Sequence, residues 1–296
     1  MNGKKLLCAV LTSALAVSLM AGCSTSPSAS STSPSAPQAS APQTSADAGA
    51  ERTPEKTQLK VGTFASSGIA AEAGVSTLEE MGYEVEVIYF DDAVLPNTAL
   101  QEGSIDYNIY QHTPYLEAYL QDNSGTSLSM AELLYYPMYG LYSTRYTSLD
   151  EIPDGAHIGL YSDASNVDRG LRLLDACGLI TLVDEEKELY SELDVVENPK
   201  NLTFELVSFG SAVRALEDLD ACMAAGSHIL DGGMDPTAAL ALEERGSTGS
   251  DFTCGIAVRT EDMDTVWLED VITAYTSDAS RDYMNENYKG ASVPVF

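Results

Sequence analysis

The chain has 296 residues, 44% of them hydrophobic and 20% charged, enough apolar material for one large domain or two medium ones. Its 15 basic and 45 acidic residues give a net charge of −30, which argues against nucleic acid as a partner and against a peripheral hold on anionic lipid. No two of its five cysteines stand at C-x-x-C spacing and there are only three histidines, so neither a zinc site nor a thioredoxin-type centre is expected.

Met1 to Lys5 is a short cationic segment, and Leu6 to Met20 is an apolar run of 15 residues. That suits a signal-peptide core and is short for a membrane span, which needs about 20. Met20-Ala21-Gly22-Cys23 follows. Small residues just before a cysteine are similar to a bacterial lipobox, although Met20 stands where leucine is commonest. An ordinary secretory signal with an incidental cysteine is the alternative. Residues 1–22 are thus read as a signal peptide and Cys23 as the lipidated N-terminus of the mature protein. Residues 23–57 are rich in serine, proline and alanine without apolar periodicity. Such a segment cannot bury enough surface to offset its chain entropy and reads as a disordered tether. The expected location is the extracytoplasmic face of the cell membrane, held through the lipid anchor only.

The body alternates between strand and helix signals. Leu59 to Phe64 reads as a strand, followed by a small-residue loop and a helix to about Met81 that Gly82 ends. Glu84 to Phe90 alternates as a strand does. Asp92 caps a short helix over 93–101, Ile105 to Tyr110 is a further strand, and Pro114 opens a helix to about Gln121. Pro137 to Ser143 is strand-like. His157 to Tyr161 is a strand, Asn166 to Cys177 a helix closed by Gly178, Thr203 to Phe209 a strand, Ser211 to Leu219 a helix, and Ala221 to Ala224 a short strand. Phe252 to Arg259 is the last strand, with helical stretches over 265–287. This rhythm predicts an α/β fold with largely parallel sheets. Cys177, Cys222 and Cys254 sit among apolar neighbours and read as small buried hydrophobes. His157 reads as structural.

From Leu59 to Phe296 the chain resembles the NlpA/methionine-binding lipoprotein family of ABC-importer substrate-binding subunits. The matching stretches are Tyr110-Gln111-His112-Thr113-Pro114-Tyr115-Leu116, residues 148–155, Asn166-Val167-Asp168-Arg169, residues 196–202, residues 214–218, and the tail Tyr288 to Phe296. The resemblance implies a type II periplasmic-binding fold: two α/β lobes, a ligand cleft between them and a two-strand hinge. On that pattern lobe one is 58–140 plus 251–296 and lobe two is 141–250. The partners it implies are a small amino-acid ligand and an ABC permease and ATPase complex, with no cofactor, no metal and no catalytic residue.

A free amino acid needs a carboxylate receptor, an ammonium receptor and a shaped wall. Arg169 offers a planar bidentate fork for the carboxylate and matches the family's arginine, with Asn166 a matching neighbour. Its alternative is an ion pair with Asp168 or Asp163 on a solvated helix face. His112 and Tyr115 match a family segment, with Tyr110 two residues earlier. Aromatic walls suit a thioether, and the alternative for His112 is a bond to backbone. Phe64 and Ser67 sit where the first strand meets its helix, the cleft-facing end in open α/β sheets, although Phe64 could equally be core. The departure lies at Ala224-Ala225-Gly226-Ser227-His228. Methionine-binding members carry two asparagines there, where this chain has Ala225 and Ser227. Losing both amides leaves the ligand's polar end short of partners. Asp168 is a candidate replacement, with plain surface charge as its alternative; otherwise the ligand differs from methionine.

No G-x-S-x-G, G-x-x-x-x-G-K-[ST], H-E-x-x-H or G-x-G-x-x-G occurs, so an enzyme is not expected. The reading that results is a substrate-binding lipoprotein of an ABC importer that captures methionine or a related amino acid. The alternatives are a binder of a dipeptide or other amino-acid-like ligand, and a surface adhesin or sensor that kept the fold without transport.

Overall fold

The computed structural model describes residues 53–246 and 251–296. The expected signal peptide, Cys23 and the expected tether up to residue 52 lie outside them.

The first part of the body is a run of strand–helix units. β1 (Gln58–Thr63) leads into α1 (Gly68–Glu72) and α2 (Val75–Glu80), β2 (Glu84–Tyr89) into α3 (Leu95–Gln101), and β3 (Tyr107–His112) into α4 (Thr113–Asp122). β4 (Leu128–Pro137) then ends this half, and β5 (Tyr139–Tyr142) starts the next. β6 (His157–Tyr161), α5 (Ala164–Ala176), the short β7 (Thr181–Leu182) and β8 (Val195–Glu197), and β9 (Thr203–Val207) follow. α6 (Ala212–Ala215), β10 (Ala221–Ala225), α7 (Gly226–Asp231) and β11 (Ala241–Leu242) complete the second half. The chain returns with β12 (Cys254–Arg259), α8 (Val266–Tyr275), α9 (Asp278–Tyr288) and β13 (Ser292–Pro294).

The strands form two principal sheets, ordered β13-β4-β12-β3-β1-β2 and β11-β5-β10-β6-β9. Each has its own apolar core. Val61, Tyr107, Ile256, Trp267 and Val271 are buried beneath the first. Leu160, Leu171, Leu174, Met223 and Ile229 are buried beneath the second. This is a two-lobe α/β periplasmic-binding fold. The main chain passes from one sheet to the other at Met138 and returns between Leu242 and Cys254.

The sheets are mixed rather than largely parallel. β1 pairs in parallel with β2 and β3, and β6 with β9 and β10. β12 instead runs antiparallel to both β3 and β4, and β5 antiparallel to β10. The strands next to the crossings carry the chain out of one lobe and back into it, which reverses their direction against the βαβ units.

The expected helix up to Met81 is broken between α1 and α2. A Cβ on Gly74 would lie 2.7 Å from the Tyr275 ring, so α8 packs directly on the backbone at this break. Gly82 ends α2 at φ +96°, as glycine readily does. Asp92 Oδ1 accepts from the backbone N–H of Val94 at 2.8 Å and of Leu95 at 3.3 Å, so α3 begins at Leu95 rather than Ala93. The helix expected over 211–219 is the single turn of α6. Cys177, Cys222 and Cys254 are all free thiols; the last two are buried and Cys177 is half-buried. His157 is exposed at the start of β6.

Candidate functional site

The C-terminal ends of β3 and β6 and the N-terminal ends of α4, α5 and α7 meet at a narrow cavity of about 30 Å³. Lobe one supplies Tyr110, Gln111, His112 and Tyr115. Lobe two supplies Tyr161, Asn166, Arg169, Phe209, Ala225 and Ser227, with Ser66 and Ser67 closing the side. Of the residues singled out from sequence, Arg169, Asn166, His112, Tyr115, Tyr110, Ser67 and Ser227 therefore come together around one space.

His112 is both a cap and a wall. Its backbone is extended at the start of α4, and Nδ1 accepts the Tyr115 backbone N–H at 3.1 Å. A neutral ring with an accepting Nδ1 carries its proton on Nε2. That Nε2 lies 3.4 Å from Asn166 Oδ1, across the gap between the lobes. Burial, helped by the Arg169 charge, pulls the His112 pKa down to about 3. Asn166 is aimed by Asp163, the N-cap of α5, which accepts from its backbone N–H at 3.0 Å and from Nδ2 at 2.9 Å. The hydroxyls of Tyr110 and Tyr115 both donate to Ala93 O, at 2.8 and 3.0 Å, so two rings are pinned to one carbonyl.

Arg169 is buried, with only 1% of its surface exposed. Its partner is neither Asp168 nor Asp163 but Glu243, which follows β11 and whose side chain is wholly buried. Nε donates to Glu243 Oε2 at 2.9 Å, and Nη2 donates to the same oxygen. Nη2 also lies 3.4 Å from Pro137 O and from Tyr136 Oη. The guanidinium stacks between Tyr139 and Phe252, with Cζ 4.1 and 4.4 Å from the ring centroids. Burial alone would favour the neutral form, but the Glu243 carboxylate more than offsets it and lifts the Arg169 pKa above its ordinary value. The bidentate fork expected for a ligand is thus largely engaged by the protein itself.

Asp168 does not face the cavity. It is fully buried, so it is not surface charge either. Its two oxygens lie 2.8 and 2.9 Å from Arg172 Nε, and Oδ1 accepts the Tyr190 backbone N–H at 2.8 Å. It immediately precedes Arg169 in the helix, and one helical step turns the two side chains about 100° apart. Burial raises its pKa. Phe64 is buried beside the cavity, its ring 5.8 Å from Tyr110 and 5.4 Å from Phe209, and it lines the open groove on the far side of Phe209.

The Ala225–Ser227 segment is compact. The Ala225 backbone N–H donates to Tyr161 Oη at 3.2 Å. Tyr161 Oη is also hydrogen-bonded to His228 Nδ1. Gly226 N–H donates to Met138 O at 2.6 Å, and a Cβ on Gly226 would lie 2.8 Å from Ala291 O. Ser66 Oγ and Tyr139 Oη are buried without a hydrogen-bond partner among the described residues. Buried hydroxyls normally have one, so this wall is suited to a polar ligand group. Glu243, Tyr139, Tyr161 and Phe209 were not singled out from sequence. Tyr161 ends a strand, the signal that pointed to Phe64, whereas nothing distinguishes Glu243 among the other acids.

A model of the NlpA lipoprotein family matches residues 59–296. The chain belongs to the NlpA lipoprotein family. The D-methionine-binding lipoprotein MetQ of Escherichia coli K12 is 32% identical to it over 246 residues, 82% of this chain and 89% of that one. The methionine-binding lipoprotein MetQ of Bacillus subtilis is 31% identical over 221 residues, 74% of this chain and 80% of that one. A nutrient-binding protein from Burkholderia cenocepacia bound to methionine is similar in structure. It has a TM-score of 0.73 and 33% identity, over 80% of this chain and all of that one. The NlpA family is one of substrate-binding lipoproteins, not of enzymes. No helix among the described residues is long and apolar enough to cross a membrane.

Proposed function

We propose that this NlpA-family protein is the extracytoplasmic binding subunit of an ABC importer and captures an amino acid, methionine or a close relative, between its lobes, which part to widen the narrow cavity and admit it. The observation that carries the reading is the convergence of His112 Nε2–H, Asn166 and Arg169 inside a wall of tyrosine and phenylalanine rings. Polar donors can orient an α-carboxylate while the rings cover an apolar or thioether side chain. Tyr110, Tyr115, Ser67 and Ser227 complete the proposed contact set, and Phe64 backs it. Asp168 is left out because Arg172 holds its carboxylate. A lipid on Cys23 would keep the subunit beside its permease and ATPase.

The absence of both asparagines at Ala225 and Ser227 favours a second reading, a dipeptide or other amino-acid-like ligand whose amine lies elsewhere. Mass spectrometry of small molecules released from the denatured purified protein, with a thermal-shift screen of amino acids and methionine-containing dipeptides, tests both. A ligand at 100 times its Kd adds about 2.7 kcal/mol of stability. A screen in which no amino acid or dipeptide raises the melting temperature would sink the importer reading.

A further inference from the structure

A guanidinium offers a carboxylate two paired N–H edges, Nε–Nη2 and Nη1–Nη2, and in this cleft they are not equally available. The Nε–Nη2 edge of Arg169 is closed by Glu243 Oε2. The same Nη2 is drawn to Pro137 O and Tyr136 Oη. Among the described residues Nη1 makes no hydrogen bond, and Arg169 lines the cavity. The pair is dry: 2% of the Arg169 side chain and none of the Glu243 side chain is exposed. In such surroundings one negative charge cancels most of the field that the guanidinium would otherwise project on a ligand.

The other contacts of Glu243 explain how it is held there. Tyr136 Oη donates to Glu243 Oε2. The Glu243 backbone N–H donates to Tyr139 O at 2.8 Å, which fixes the residue against the segment where the chain first crosses between lobes. Pro137, Tyr136 and Tyr139 all belong to that segment, and Glu243 begins the return toward β12. One guanidinium from α5 thus ties the outgoing crossing to the start of the returning one.

We propose that Glu243 is a specificity-determining residue of this cleft: it compensates the charge of Arg169 and closes its bidentate edge, so that a ligand's carboxylate is gripped through Nη1 and His112 Nε2–H rather than by a free fork. The proposal rests on the amino-acid reading of the site. Its consequence is a binding protein that discriminates modestly between a carboxylate and its neutral amide. An uncompensated buried arginine would discriminate strongly.

The test compares each of the twenty L-amino acids with its C-terminal amide on the full chain, by calorimetry for whichever acid stabilises the protein most in a thermal-shift screen. Glu243→Gln keeps the shape and a hydrogen-bond acceptor but removes the charge. It is expected to raise the preference for acid over amide at least tenfold. Tyr136→Phe loosens Glu243 without removing any charge, and is expected to raise that preference about two- to fivefold even if Glu243→Gln does not fold. A Glu243 that served only to support the hinge would weaken acid and amide together and leave their ratio unchanged. That result, or an unchanged ratio in Tyr136→Phe when it is the only folded variant, overturns the proposal while amino-acid binding by the wild type stands. Binding of no amino acid by the wild type overturns the amino-acid reading and this inference with it.

Discussion

His112 caps α4 through Nδ1, which accepts the backbone N–H of Tyr115 at 3.1 Å, and so presents Nε2–H to the cleft. One ring fixes where the helix starts and which proton a ligand meets.

The same burial makes stability depend on pH. Burial, with Arg169 nearby, pulls the His112 pKa down to about 3, and burial pulls that of His228 down to about 4. Unfolded, each titrates near 6.5. The unfolded chain therefore takes up protons first, so the contribution of these neutral rings is complete above pH 6.5. It is lost as pH falls, at about 1.4 kcal/mol per unit for each ring, until about pH 4 for His228 and 3 for His112. Urea unfolding between pH 7.5 and 5.5 should show this slope, and His112→Asn with His228→Gln should flatten it. Asparagine keeps an acceptor at the helix cap.

Arg169→Ala is expected to act first on folding. It strands the Glu243 carboxylate in a buried site, at a cost of about 3–5 kcal/mol. Replacing both partners, as in Arg169→Met with Glu243→Leu, should recover much of that stability without restoring ligand binding. A double-mutant cycle by urea denaturation measures the coupling. Costs that simply add would show that the pair contributes nothing as a pair.

Asp168→Asn is expected to leave ligand affinity within twofold and to lower stability by about 1–3 kcal/mol. What is lost is the negative charge opposite Arg172, itself part-exposed, while the Tyr190 backbone N–H keeps a neutral acceptor in Oδ1. Calorimetry and denaturation on the same preparation separate the two effects. A tenfold loss of affinity at unchanged stability would return Asp168 to the ligand.

Cys254 lines the cavity, and burial pushes its thiol pKa up to about 12, as it does for Cys222. Half-buried Cys177 should react first with a thiol reagent. Cys254 should follow only when the lobes part, and a bound ligand should slow it further. Peptide mapping after timed alkylation, with and without ligand, reads both. Alkylation of Cys254 at the rate of Cys177 would mean that the cavity stands open.

Lipidation at Cys23 predicts that Cys23→Ser releases the protein from membranes or leaves its precursor unprocessed. Cell fractionation decides it, and a processed variant that still sediments with membranes would remove the lipobox reading.

Much of the fold was legible because β1, β2, β6 and β12 are short apolar or alternating runs bounded by turn residues, and helices such as α5 end at glycine. β4 was not legible in its first nine residues. Leu128-Ser129-Met130-Ala131-Glu132-Leu133-Leu134 has the composition of a helix, and its pairing with β12 makes it a strand. The mixed direction of the sheets was hidden for a related reason, since strand direction next to a crossing depends on where the chain goes afterwards. In the cleft, His112, Asn166 and Arg169 stood out through motif and chemistry together. Glu243 is 74 residues from Arg169, in a chain with 45 acids, and only tertiary structure selects it. Asp168 misled because adjacency to Arg169 in sequence means divergence on a helix.

Gly226 has no room to change, because a Cβ there would lie 2.8 Å from the backbone Ala291 O, whereas Ala225 and Ser227 on either side of it line the cavity. A library meant to turn this chain into a sensor for a chosen small molecule should therefore randomise the two flanking codons and keep the central one constant. Such a library varies the wall that a ligand meets and keeps the glycine on which the contact between α7 and the C-terminal tail depends.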